Sequence, residues 1–182
     1  MTRPLGRGGL TVGPVAFGSA PIGNLGREVS DVEWRGALAA AWDAGIRYYD
    51  TAPHYGLGLA ERRLAEGLAG RDGFVLSTKV GRLLEPGEGS SEGYAVPPTH
   101  VRVRDYSRDG VRASLESSLE RLGVDRVDIV FVHDPDDFER EALEGAFPAL
   151  EELRSQGVIT SYGAGMNQSE MLARFVARAT ST

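Results

Sequence analysis

Short runs rich in β-branched and aromatic residues alternate along this chain with amphipathic helical stretches, and a glycine usually precedes the next short run. That rhythm limits the fold more than any single residue does. Strands joined through helices pair in parallel and bury both faces of their sheet. Residues 10–19 (LTVGPVAFGS) read as a strand broken at Gly13-Pro14, or as a small hairpin leading into a strand at 15–19. Ser30-Asp31-Val32-Glu33 is a capping-box sequence, and Trp34, Leu38, Ala41 and Trp42 follow it on one helical face. Gly45 ends that helix before a strand at 46–50. A helix over roughly 58–69 carries Leu64 and Leu68, and a strand follows at 74–79. Val111, Leu115, Leu119 and Leu122 line a helix that starts at Ser107 and is closed by Gly123. A strand at 127–132 comes next, then a helix in two pieces, 138–145 and 147–156, with Pro148 in the first turn of the second. The last unit is a strand at 158–163 and a helix marked by Leu172, Phe175, Val176 and Ala179. Five βα units result. There is no internal repeat and no linker, so residues 1–182 are expected to form part of one domain.

Residues 81–106 interrupt the rhythm. They are rich in Gly, Pro and Ser and show no sustained period. A structureless loop of this length is either functional or a tolerated insertion, and here a loop covering the substrate is expected.

Composition narrows the function. The 182 residues are 41% hydrophobic and 25% charged, which is globular. Twenty Lys and Arg against 26 Asp and Glu give a net charge of −6. That balance disfavours nucleic acid and anionic membrane surfaces and raises no objection to a small neutral substrate. The N-terminal stretch lacks the apolar run of a signal peptide, and no run is long enough to span a membrane. There are no cysteines, which excludes thiol nucleophiles and fits a cytoplasmic location. His54, His100 and His133 lack the spacing of common metal motifs, so no metal site is expected.

Four residues suggest chemistry. Asp50, Tyr55, Lys79 and His133 each fall at the C-terminal end of an expected strand or in the loop after it, and Asn167 follows the last strand. In a parallel barrel those ends converge on one face, where active sites are found. Reducing a carbonyl puts negative charge on its oxygen, and a positioned acid must protonate it. A tyrosine serves if a nearby ammonium lowers its pKa, and a carboxylate keeps that ammonium charged. An imidazole can then hold the oxygen. Each residue also has an ordinary reading: Asp50 as a turn cap, Lys79 as a solvated charge, His133 as a structural histidine, Asn167 as a helix cap. Arg62, Arg63 and Asp134–Asp137 read as solvated charges.

Four segments in one order, YYDTAPHYG (48–56), STKVG (77–81), DIVFVHDPDD (128–137) and YGAGMNQ (162–168), resemble the aldo-keto reductases. The HDPDD and GMNQ variants and the stretch 105–128 are most similar to its branch of L-fucose, D-threo-aldose and pyridoxal dehydrogenases. The resemblance implies an eight-stranded (β/α)8 TIM barrel, of which about five units are present, and an extended NADP or NAD cofactor. It implies Tyr55 as general acid/base, tuned by Lys79 and Asp50, with His133 orienting the carbonyl and Asn167 contacting the nicotinamide carboxamide. The reaction would interconvert a carbonyl and an alcohol on a small polar sugar or pyridoxal-type substrate. Two departures stand out. Many relatives carry Ser where this chain has Ala60, a poorer N-cap expected to cost about 1 kcal/mol. The chain also stops early, so exposed barrel edges, self-association through them and weakened cofactor binding are expected. The terminal ARATST reads as a foreign or frameshifted tail. A non-catalytic remnant and a cofactor-sensing subunit are the rival readings.

Overall fold

The computed structural model describes residues 2–6 and 8–179. Its centre is a five-stranded parallel sheet made of β3 (Phe17–Gly18), β4 (Tyr48–Asp50), β5 (Val75–Val80), β8 (Ile129–His133) and β9 (Ser161–Gly165), in that order. Helices α1 (Asp31–Asp43), α2 (Leu59–Leu68), α3 (Arg108–Leu122) and α5 (Phe147–Ser155) connect these strands. Helix α6 (Ser169–Ala179) follows β9. The result is an open segment of a βα barrel with five strands in one sheet.

Local sequence explains the elements. Ser30 accepts from the Glu33 amide and the Glu33 carboxylate accepts from the Ser30 amide, so the expected capping box starts α1. Ser107 caps α3 in the same way, accepting from Gly110. Successive strand residues face opposite sides. Leu76 and Val80 of β5, with Val130 and Val132 of β8, pack into the core under the helices. Trp34, Leu38, Leu64, Leu115 and Leu150 meet them there, all buried. The opposite face of the sheet carries Asp50, Ser77 and Lys79.

Several expectations change. Residues 81–106 are not structureless: β6 (Arg82–Pro86) and β7 (His100–Arg104) form an antiparallel hairpin in register from Arg82↔Arg104 to Pro86↔His100. The alternation of His100–Arg104, with valines at 101 and 103, was the signal; the Gly/Pro/Ser-rich tip masked it. The N-terminal hairpin pairs β1 (Arg3–Leu5) with β2 (Leu10–Val12), ahead of the break at Gly13. Ala60 is not an N-cap. Gly58 caps α2, and Ala60 lies buried inside the helix, so no capping penalty arises there. The two-piece helix is continuous. α4 (Glu139–Glu141) runs through one wide turn, Ala142–Ala146, into α5, with Pro148 in its first turn. Such a bulge fits a glycine–proline pair at Gly145 and Pro148.

Trp42 is only half-buried, with the guanidinium groups of Arg47 and Arg71 over its ring at 3.6 and 4.6 Å from the centroid. Leu172 and Val176 are exposed, whereas Met171 and Phe175 supply the buried face of α6. The two exposed side chains border an apolar groove with Phe147 and Tyr162 beside the edge strand β9. The Ala179 side chain and residues 180–182 of the tail fall outside the described residues. No helix among the described residues is long and apolar enough to cross a membrane.

Candidate active site

The parallel register brings the strand ends together. Gly18 pairs with Asp50, Asp50 with Ser77, Lys79 with Phe131, and His133 with Gly165. Asp50 closes β4, His133 closes β8, and Lys79 is the last residue but one of β5.

Lys79 is the hub. Its Nζ donates to Asp50 Oδ2 at 2.6 Å and to the Thr51 carbonyl at 2.9 Å, and the side chain is only 9% exposed. A buried ammonium needs such partners, because desolvation otherwise favours its neutral form. Ser77 Oγ donates to the other Asp50 oxygen at 2.6 Å, and the Tyr48 hydroxyl lies 3.2 Å from the same Oγ. Ser77 thus orients the carboxylate that holds the lysine.

Tyr55 presents its ring to Lys79. Lys79 Nζ is 4.7 Å from its ring centroid. The turn after it is tight: Gly56, Leu57 and Gly58 all have positive φ, at 63°, 54° and 78°. A Cβ on Gly56 would collide with the carbonyl of Gly23, so only glycine lets the loop close against the 3-10 turn Pro21–Gly23. Arg63 braces that turn. It donates to Ile22 O at 2.8 Å, Asn24 Oδ1 at 2.7 Å and Val29 O at 2.9 Å. It is therefore no solvated charge; it fixes the backbone behind Tyr55.

His133 stands edge-on to Tyr55, the ring centroids 6.0 Å apart at 87°. Burial, then the positive charges of Lys79 and Arg82, push its pKa down to about 2, so the imidazole is neutral at ordinary pH. Its Nδ1 is buried without a hydrogen-bond partner among the described residues. Tyr106, buried itself, donates from its hydroxyl to the carbonyls of His133 (2.7 Å) and Asp134 (2.9 Å). Asp134 is also not a free surface charge, since Arg82 Nη2 donates to its Oδ2 at 2.6 Å.

Asp50, Tyr55, Lys79 and His133 thus form one cluster. Asn167 stands apart: it is exposed, two residues beyond the end of β9. Sequence reasoning passed over the surrounding shell. His54 packs edge-on to Tyr55, Tyr94 and His133 at centroid distances of 6.1, 5.5 and 5.6 Å. Burial, then Arg102, Arg82 and Lys79, lower its pKa to about 4. Tyr94 stacks beside Tyr55 at 6.4 Å and 28°. It arrives from the tip between β6 and β7, which Arg102 ties down through the carbonyls of Ser90, Ser91 and His54. The hairpin is a wall of the site. His54 lies inside the segment YYDTAPHYG, but nothing in its spacing sets it apart from a loop residue; Tyr94 and Arg102 are tens of residues from the loop they meet.

Comparison with known proteins agrees with this geometry. Residues 14–179 match the model of the aldo/keto reductase family. The chain is 48% identical over 181 residues to D-threo-aldose 1-dehydrogenase from a Pseudomonas species, covering 94% of this chain and 55% of that protein. It is 38% identical to pyridoxal 4-dehydrogenase of Microbacterium luteolum, covering 93% and 56%. Among solved structures, the holo form of aldo-keto reductase AKR11C1 from Bacillus halodurans superposes with a TM-score of 0.79 at 28% identity, covering 97% of this chain and 54% of that one. The chain spans about half the length of the curated relatives it matches. With the parallel sheet, the strand-end cluster and a match over most of the sequence, the chain belongs to the aldo/keto reductase family.

Proposed function

We propose that this chain carries the proton-handling part of an NAD(P)-dependent oxidoreductase, which interconverts a carbonyl and an alcohol on a small polar molecule of sugar or pyridoxal type. The observation that carries the reading is the position of Lys79, held by Asp50 and seated 4.7 Å from the Tyr55 ring centroid. When a carbonyl is reduced, Tyr55 donates its phenolic proton to the oxygen as negative charge grows there. The Lys79 ammonium stabilises the phenolate left behind, and Asp50 with the Thr51 carbonyl keeps that ammonium in place. His133 stays neutral and serves as a hydrogen-bond donor to the carbonyl oxygen, not as the acid, because its pKa is pushed far below neutrality. In the oxidation direction the same phenolate takes the proton from the alcohol.

A bound nicotinamide supplies or accepts the hydride. The donor set suits its amide end. Asn167 offers both a donor and an acceptor on the segment after β9, and Gly163 and Gly165 leave that strand bare beside Phe131 and Lys79. Both named relatives are dehydrogenases, of an aldose and of pyridoxal, which supports the substrate class.

Cofactor-fluorescence titration with a turnover assay, on the chain and on Tyr55→Phe, tests the proposal. Tyr55→Phe should lower turnover by about 10²–10⁴-fold while cofactor quenching stays the same. An unchanged rate removes Tyr55 as the acid. Quenching without turnover in the unmodified chain points to a sensor, and no response at all to a non-catalytic remnant.

A further inference from the structure

We propose that Arg82 is a positioning residue that sets the tautomer of His54 and the charge state of His133 through one guanidinium. It bridges them. Nη2 donates to Asp134 Oδ2 at 2.6 Å, and Nη1 lies 3.4 Å from His54 Nδ1. A guanidinium has donors and no acceptor, so the His54 contact requires a lone pair on Nδ1. Neutral His54 then carries its proton on Nε2. That N–H finds no acceptor among the described residues and is left for an oxygen of the substrate, beside Tyr55 and His133. Glu92 is the competitor. Its Oε2 is 3.7 Å from the same Nδ1, farther away and on a half-exposed side chain, and it would draw the proton to Nδ1 instead.

The second arm works through Asp134. That residue directly follows His133 in a left-handed conformation, φ 41°, and its Oδ2 lies 3.6 Å from His133 Nε2. A free carboxylate at this distance favours the imidazolium. Arg82 engages the carboxylate and adds a positive charge of its own, so His133 remains a neutral donor. The other groups facing His133 act in the same direction or are uncharged. They are Lys79 from β5, Arg104 from β7, and His54 and Tyr55 from the loop before α2; the Tyr106 hydroxyl holds its carbonyl. Asp50 is paired with Lys79. The catalytic meaning of this wiring rests on the role proposed for His133; the wiring does not.

The chain has three histidines, so an NMR titration of imidazole ¹⁵N and ring-proton signals separates His54 and His133 from His100 without cofactor or substrate. In the unmodified chain His54 should carry its proton on Nε2. Arg82→Met should abolish that single tautomer and raise the His133 midpoint by about two pH units. Adding Asp134→Asn should bring the midpoint back down. Arg82→Lys keeps a charge beside Asp134 but cannot fork; His133 should stay suppressed while His54 loses its tautomer preference. This variant carries the test if Arg82→Met does not fold. A proton on Nδ1 of His54 in the unmodified chain overturns the proposal in favour of Glu92. So does a His133 midpoint that ignores Arg82→Met, or a His54 tautomer that survives Arg82→Lys. None of these results depends on whether Tyr55→Phe abolishes turnover.

Discussion

Replacing Gly56 by alanine should damage this protein far more than the same change at Gly70. Both residues have similar positive φ, 63° and 70°. An alanine pays for the left-handed conformation at either position, about 1–2 kcal/mol, and regains about 0.4–1 kcal/mol by restricting the unfolded chain. At Gly70 nothing lies within 4 Å of the added Cβ, so the net cost should be about 1 kcal/mol. At Gly56 the Cβ would sit inside the Gly23 carbonyl, a backbone atom that cannot rotate away. Relieving such overpacking costs about 1–3 kcal/mol more. Gly56→Ala should therefore lie about 2 kcal/mol below Gly70→Ala in stability, a shift of about 1 M in the urea midpoint at unchanged slope. The displaced backbone carries Tyr55, so turnover by Gly56→Ala should fall even where the variant is fully folded. Equal urea midpoints for the two variants would refute the close packing of the Tyr55 loop on Pro21–Gly23.

Acid should destabilise the protein through His133. Its folded pKa of about 2 is below the ordinary 6.5, so the unfolded state binds more protons between those values and stability rises with pH across that window. The contribution is complete above about pH 6.5, and about 2 kcal/mol of it should be gone at pH 5. His133→Gln should make the stability–pH curve less steep there, the remaining slope coming from His54, whose pKa is lowered to about 4; an identical slope would show that the His133 imidazole is not held neutral. Arg63→Met should cost at least about 2 kcal/mol in urea, because the carbonyls of Ile22 and Val29 and the Asn24 oxygen lose a charged donor. A loss under about 0.5 kcal/mol would return Arg63 to the surface role its sequence suggests.

The elements legible in the sequence were those governed by local rules. Ser30 and Ser107 start helices because each side chain satisfies an amide that the first turn leaves free. The strand runs differ from their expected limits by a few residues at most, as at β9, which begins at Ser161 instead of 158. The catalytic candidates were legible for a related reason. A residue's place at a strand end is a local property, and parallel topology turns four such places into one rim. The hairpin β6–β7 was lost because its pairing partners are separated by a tip rich in Gly, Pro and Ser, and pairing is decided across the gap. Leu172 and Val176 mark the last helix by their period, yet both are exposed, because a period cannot say which apolar face finds a neighbour.

By itself, the order of residues determined the βα alternation, the helix starts and the places of Asp50, Tyr55, Lys79 and His133 at strand ends or in the loops just after them. These follow from backbone capping and periodicity, whose range is a few residues. Only the tertiary structure decided which charges are solvated and which are wired. Arg63 and Asp134 read as solvated charges in the sequence, and Arg82 and Arg102 lie in the stretch read as a structureless loop, but each is committed to partners 11 to 52 positions away. Burial strengthens an ion pair or hydrogen bond by removing water, and burial is a property of the folded whole.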